Sequence, residues 1–399
     1  MSQKTPVEPE KDTDLSHEEL LKKPVFIEHR QKKDPRDLRI LDPACGSGHF
    51  LLYAFDLLER IYEEAWADPV SPNSEITGRT IQEDFETLED LRREVPKLVV
   101  EHNLHGIDID PRAVQIAASA LWLRAQKTWK NLGLKAPERP CIARSNIVTA
   151  EPMPGEEDMR REFTAGLKPR VLGQIVDEVF EMMKLAGEAG SLLKIEEEIK
   201  DAVAAAGKQW REGPKPEQQL LFPTMDVPRP KQQELRFDVK GITDERFWEE
   251  AEDRILEALE EYAERAENGR AVRRRLFAED AARGFAFIDL CRKRYDVVLM
   301  NPPFGEPAKS SKPLIEKSFP RTKNDVYAAF VERGLNLLHA GGRLGAITSR
   351  TGFFLSSFTK WREEILLKEA RPTVFADLGY GVMDSAMVEA AAYCLEARR

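Results

Sequence analysis

Asn301-Pro302-Pro303-Phe304 directly follows the apolar run Val297-Val298-Leu299-Met300, and its residue types suit the capture of an amino group. Two consecutive prolines fix the backbone and lack N–H donors, so the Pro302 carbonyl can be held outward beside the Asn301 amide oxygen. Two acceptors converging on one point match an amine with two hydrogens to donate, and the neighbouring aromatic ring offers a planar base a stacking surface. Alone, such a turn is only a turn; it gains a chemical reading because the same chain carries a cofactor-type loop. That loop is Asp42-Pro43-Ala44-Cys45-Gly46-Ser47-Gly48-His49-Phe50-Leu51. Gly46 and Gly48 allow close backbone approach to a ligand, and the helix that follows offers its positive N-terminal end. Leu51 stands where a dinucleotide fingerprint needs its third glycine, and no Gly-Lys-Ser/Thr follows, so a nucleotide-like ligand without pyrophosphate is indicated. A third turn, Gly106-Ile107-Asp108-Ile109-Asp110-Pro111, puts a carboxylate at Asp108 where it can accept from both hydroxyls of a ribose, while Asp110 before Pro111 caps the next helix.

Strands must end at these turns. Leu38–Ala44 reads as a strand, Phe50–Trp66 as an amphipathic helix, Ile81–Val95 as a charged helix, Asn103–Asp110 as a second strand and Pro111–Gln126 as a helix. A third short strand is expected at Cys141–Val148. The pattern resumes with strand Tyr295–Met300, then helix Val326–Ala340 closed by Gly341-Gly342 as its C-cap, strand Arg343–Ser349, a helix over Phe358–Glu369, and strands Val374–Gly379 and Val388–Ala397. Strands alternating with helices specify an α/β fold with a doubly wound, mostly parallel seven-stranded sheet, in which ligands sit at the carboxyl ends of the strands. The chain divides into a polar arm over 1–36, a first α/β segment over 37–150, an acidic and mostly helical insertion over 151–290, and a second α/β segment over 291–399. Inside the insertion, Trp248, Ala251, Ile255, Leu259 and Tyr262 form one apolar helical stripe that must pack on something, and the Pro-rich stretch 214–233 divides the helical material.

The 399 residues, 42% of them apolar, suffice for a sizeable core, and no run reaches the ~18 to 20 apolar residues of a membrane helix. No apolar leader opens the sequence, and Cys45, Cys141, Cys291 and Cys394 are scattered without metal-ligand spacing, which points to a reducing cytoplasm, no disulfide framework and no zinc. The net charge of −10 does not exclude nucleic acid, because residues 151–290 hold 32 acidic and 22 basic residues and leave the rest neutral. His49 has no catalytic partner at a recognised spacing and reads as a loop residue.

The three turns, together with Lys323–Ser349, occur in an order that resembles S-adenosylmethionine-dependent DNA amino-methyltransferases, and most of all the adenine-N6 enzymes of type I and type IIG restriction systems and of BREX phage defence. The resemblance covers residues 40–146 and 295–396. It implies a class I methyltransferase (Rossmann-like) fold, with residues 37–150 as the cofactor-binding half and 291–399 as the catalytic half. Asp42, Pro43, Ala44, Cys45, Gly46, Ser47, Gly48 and Phe50 would surround S-adenosylmethionine, with Asp108 and Ile109 at its ribose. Asn146 falls where the family usually has an Asp that contacts the cofactor's adenine, and its amide carbonyl can still accept. Asn301 would contact the cofactor and, with Pro302, bind the target amino group. Pro303 would shape the turn and Phe304 would stack on the flipped adenine, with Phe354 and Phe358 as further stacking surfaces. No metal is required. Lys309, Lys312, Lys317, Arg321 and Lys323 then suit phosphate contact with double-stranded DNA.

Two parts of the family pattern are missing: a Tyr-Thr-Pro-like segment upstream of Asp42 that covers the cofactor, and a target-recognition domain after Arg399. Target recognition is therefore expected from the insertion, from a protein partner or from nowhere, and the missing cofactor cover from a protein partner. Two other readings stay open: a non-catalytic subunit of a defence complex that keeps the fold, and an amino-methyltransferase acting on protein glutamine or RNA.

Overall fold

The computed structural model describes residues 32–168, 170–200, 244–264, 271–382 and 388–398. Most of the polar arm and the Pro-rich stretch lie outside the described residues. The chain divides between Lys33 and Asp34, and the elements of the fold belong to the unit Asp34–Arg399.

Seven strands form one sheet: β1 (Ile40–Asp42), β2 (Leu104–Asp108), β3 (Asn146–Thr149), β4 (Tyr295–Met300), β5 (Leu338–Ser349), β6 (Ala370–Gly379) and β7 (Ala390–Ala397), in the order β3-β2-β1-β4-β5-β7-β6. β7 runs antiparallel to both neighbours and the other pairs are parallel. The expected doubly wound α/β sheet is thus observed. Strand order reverses between β1 and β4, so the turns after these strands diverge and open a crevice at their carboxyl ends.

One apolar cluster is built by α1 (His49–Ala67), α2 (Leu88–Leu98) and α3 (Pro111–Asn131), with Phe55, Tyr62, Leu91, Leu121 and Trp129 buried among them. Gly48, at φ +83°, opens α1, and a Cβ there would lie 3.0 Å from that of Ala117, so glycine allows α1 to start against α3. The charged helix expected over 81–95 is broken. Thr80 caps a single turn, Ile81–Asp84, through a reciprocal box with Glu83, and Thr87 accepts from the Asp90 amide to start α2. Hydroxyl side chains gave the backbone two local starts that a hydrophobic period does not register.

The second cluster joins the insertion to the sheet. α4 (Glu157–Gly166), α5 (Arg170–Met182), α6 (Asp244–Glu264) and α7 (Ala271–Arg292) share it with Leu41, Ile107, Val298 and Met300 of the strands and with α9 (Val326–Leu337), which follows the short α8 (Lys312–Ser318). Trp248, Ala251, Ile255 and Leu259 are buried in it and Tyr262 packs against it, which answers where that stripe goes. At Gly284 of α7 a Cβ would lie 2.4 Å from the Met153 sulfur, so the helix touches the segment leaving β3.

Two boundaries differ from expectation. Gly341-Gly342 does not cap α9, which ends at Leu337; Tyr295 pairs with Leu338 and Val297 with Arg343, so the glycines lie in a bulge of β5. β3 starts at Asn146 rather than Cys141, because the Glu101 carboxylate accepts from the Ala143 amide and holds the preceding segment out of the ladder. Among the described residues no helix is long and apolar enough to cross a membrane, and all four cysteines are free.

Because the insertion and the sheet share one core, Phe285→Ala in α7 should destabilise the whole unit, by about 3–5 kcal/mol. A calorimetric scan should show a single transition at lower temperature; a separate early transition with the main one unmoved would show that the insertion melts alone.

Candidate active site

β1 ends at Asp42, whose carboxylate is buried and accepts from the Ala44 amide (3.2 Å). The chain then crosses to β2: the Cys45 amide donates to the Ile107 carbonyl (3.0 Å) and the Gly46 amide to Asp108 Oδ2 (2.8 Å). Asp108 Oδ1 accepts from the Asp110 amide (2.9 Å), which shapes the turn into α3, and Asp110 caps that helix through the Arg112 amide (2.9 Å) as its sequence position indicated. A carboxylate offers about four acceptor positions. Two on Asp108 are used within the fold, and one per oxygen is left for a further donor. At Gly46 (φ +52°) a Cβ would meet nothing within 4 Å, so the backbone faces open space where a ligand can approach. These residues fit S-adenosylmethionine. Pro43 is buried, Ala44, Ser47 and Phe50 are half-buried, and Ile109 is exposed. Ser47 pairs with exposed His49 (3.2 Å). Burial, with the Asp42 and Asp108 charges adding to it, pushes the Cys45 thiol well above its ordinary range, so it is not a nucleophile at neutral pH.

The second half of the site leaves β4, next to β1 and in register with it through Leu41 and Val298. Asn301 is exposed, Pro302 buried, Pro303 exposed and Phe304 half-buried. Asp325 fixes the far end of this turn. Its Oδ1 accepts from the Gly305 amide (2.9 Å) and caps α9 through the Tyr327 amide (3.3 Å), and the Val326 amide donates to the Gly305 carbonyl (2.9 Å). Neither Asp325 nor Tyr327 was singled out from sequence, although an acidic residue just before an apolar helix is a cap signal. Phe304 meets Tyr327 edge to face (centroids 6.1 Å apart), and Tyr327 in turn stacks on Phe358 (5.7 Å). Phe358 is therefore a buried wall behind the turn, whereas Phe354 is 66% exposed.

Asn146 is the one cofactor candidate that the structure sets apart from the others. It pairs with His105, three residues before the Asp108–Thr149 pair, so it lies about 10 Å back from the carboxyl ends of the strands, and its amide nitrogen donates to the Glu101 carbonyl (2.8 Å). Among the basic residues, Lys309, Lys317 and Lys323 are exposed and Lys312 lies 3.5 Å from Glu306. Arg321 is held by Glu332 (2.6 Å) and Glu369 (2.5 Å), so its charge is already used to tie the loop to α9 and to the helix Trp361–Glu369.

Residues 102–381 match the Eco57I restriction-modification methylase family, and residues 26–149 match the DNA-methyltransferase domain of MmeI. The chain belongs to the Eco57I restriction-modification methylase family. It is 24% identical over 372 residues to the adenine-specific methyltransferase BrxX of Escherichia coli O9:H4 (strain HS), covering 91% of this chain and 25% of BrxX. It is also 24% identical to the adenine-specific methyltransferase PglX of Lacticaseibacillus casei (strain Zhang), covering 84% of this chain and 21% of PglX. The chain thus spans about a quarter of the length of these relatives. Among solved structures, a modification subunit of a putative type I restriction enzyme from Vibrio vulnificus YJ016 aligns over 90% of this chain and 40% of its own, with 14% identity and a TM-score of 0.37.

Burial raises the Asp42 carboxyl from 3.8 to about 7, with the Asp108 charge adding to the rise against the Ala44 hydrogen bond. The folded state then holds this proton more tightly than the unfolded chain. The associated stability is complete below about pH 4 and is lost as pH rises through 7. Without ligand, Asp42→Asn should gain thermal midpoint over the parent progressively between pH 5 and pH 8; a difference constant across that range would mean that Asp42 titrates as an ordinary carboxylate.

Proposed function

We propose that this chain is the catalytic core of an S-adenosylmethionine-dependent enzyme that methylates the N6 amino group of adenine in DNA. The observation that carries the reading is the meeting of two turns at the strand-order reversal: the Asp42–Gly48 loop with Asp108 on one side, and Asn301-Pro302-Pro303-Phe304 on the strand beside it. Family membership and the relatives named adenine-specific methyltransferases support it.

When bound, S-adenosylmethionine supplies the electrophilic methyl group. Asp108 holds the ribose, and the Gly46 turn leaves room for the rest of the cofactor. An adenine amine is a weak nucleophile because its lone pair is conjugated with the ring. Asn301 and the Pro302 carbonyl accept its two hydrogens, which localises the lone pair on nitrogen and aims it at the cofactor side of the crevice. The base leaves the duplex to reach this turn, at a cost of a few kcal/mol that stacking on Phe304 offsets. Lys309, Lys317 and Lys323 border the turn and meet DNA phosphates, with Arg321 stiffening their loop from behind. Target recognition comes from further polypeptide, in the cytoplasm where the DNA is, as part of a restriction-modification or phage-defence system.

Titration of S-adenosylmethionine into the chain, followed by an N6-methyladenine assay on duplex DNA, tests this. Asp108→Ala should abolish binding, whereas Asn301→Ala should keep the affinity and lose about 100- to 1000-fold in kcat. Cofactor binding with methylation of a glutamine peptide instead of DNA would transfer the chemistry to another substrate, and no binding to the parent chain would refute the reading.

A further inference from the structure

The insertion reaches into the site through one buried turn, Gly190–Leu192. Ser191, fully buried, donates its hydroxyl to the carbonyl of Pro43 (2.9 Å), inside the loop that follows β1. Its own carbonyl accepts from Arg333 Nε on α9 (2.8 Å). Arg333 is buried too, and Glu196, five residues beyond Ser191, meets its guanidinium through both oxygens, one of them at 2.9 Å. Gly190 has φ +54°, and a Cβ there would lie 3.0 Å from Ile109 Cγ2, so the turn also presses on the residue after Asp108.

A guanidinium buried this deeply is tolerated only when it is paired and hydrogen-bonded, and such a pair acts as a geometric latch more than as a net source of stability. The latch fixes a continuous path. Pro43 is held by Ser191, Ser191 by Arg333, and Arg333 stands on the helix whose other end, through Asp325, anchors Gly305 at the end of the Asn301–Phe304 turn. The two halves of the crevice come from segments more than 190 residues apart in sequence, and beyond the β1–β4 pairing this path is a second route that sets their separation.

We propose that the insertion is a positioning device for the methyl-transfer site, in which Ser191, held by Arg333 and Glu196, sets the cofactor loop against the Asn301–Phe304 turn. The proposal rests on the function proposed above. It assigns to the insertion a part of the site that the Asp42–Gly48 loop does not provide alone.

The test is calorimetric titration of S-adenosylmethionine into the parent chain and three variants, with thermal midpoints measured in parallel. Ser191→Ala should raise Kd about tenfold, the scale of one lost buried hydrogen bond, and Glu196→Gln should weaken binding in the same direction although it touches no loop residue. Arg274→Gln removes an ion pair with Glu162 that joins α7 to α4 elsewhere in the insertion; it should lower the midpoint and leave Kd unchanged. Parent-like affinity in Ser191→Ala, or equal weakening by Arg274→Gln, overturns the proposal while leaving the function standing. Should Glu196→Gln fail to fold, Ser191→Ala decides. A parent chain that binds no S-adenosylmethionine defeats both.

Discussion

The carboxylate of Asp108 holds the site together. It takes the Gly46 amide from one turn and the Asp110 amide from its own, so the loop after β1 is stapled to the end of β2 before any ligand arrives. The staple uses half of the acceptor capacity of the group. Asp42, one strand away, is buried with a single amide as its partner, and that environment favours its protonated form. Within one loop system, Asp108 is tied to two backbone amides, whereas burial drives Asp42 toward its neutral form.

The Asn301–Phe304 turn depends on a matching device on the other side. Asp325 closes the Asn301–Gly305 turn and starts α9 with one oxygen, and the aromatic series Phe304, Tyr327, Phe358 backs it. α9 then carries the same constraint through the core to Arg333 and to the insertion. The acidic insertion is thus integral to the unit: its apolar stripe is buried on α7 within the core cluster that the sheet shares, and the turn Gly190–Leu192 ends at the loop after β1.

The chain expresses these arrangements with ordinary signals, and some of them were legible. Strand followed by turn followed by helix, repeated with the right apolar periods, led to the α/β sheet, and glycines, a paired proline and a cap aspartate marked the three turns that the sheet brings to one edge. Helix starts at Thr80 and Thr87 leave no mark on the apolar period, because side-chain capping does not disturb it, and Gly341-Gly342 has the residue types of a helix stop although a register shift against β4 claims it for a bulge.

By itself, the sequence determined the class of fold and the positions of the turns that carry Asp42, Gly46, Asp108 and Asn301–Phe304, since each of these follows from residue type and near neighbours. Tertiary structure decided the rest. Asn146 lies at the amino end of its strand because pairing with His105 sets its level, Arg321 pairs with Glu332 and Glu369, and Ser191 meets Pro43 across 148 positions. Register, ion-pair partners and long-range hydrogen bonds are choices among many equally local possibilities, and they are made only when packing of the shared core brings distant segments to a fixed distance.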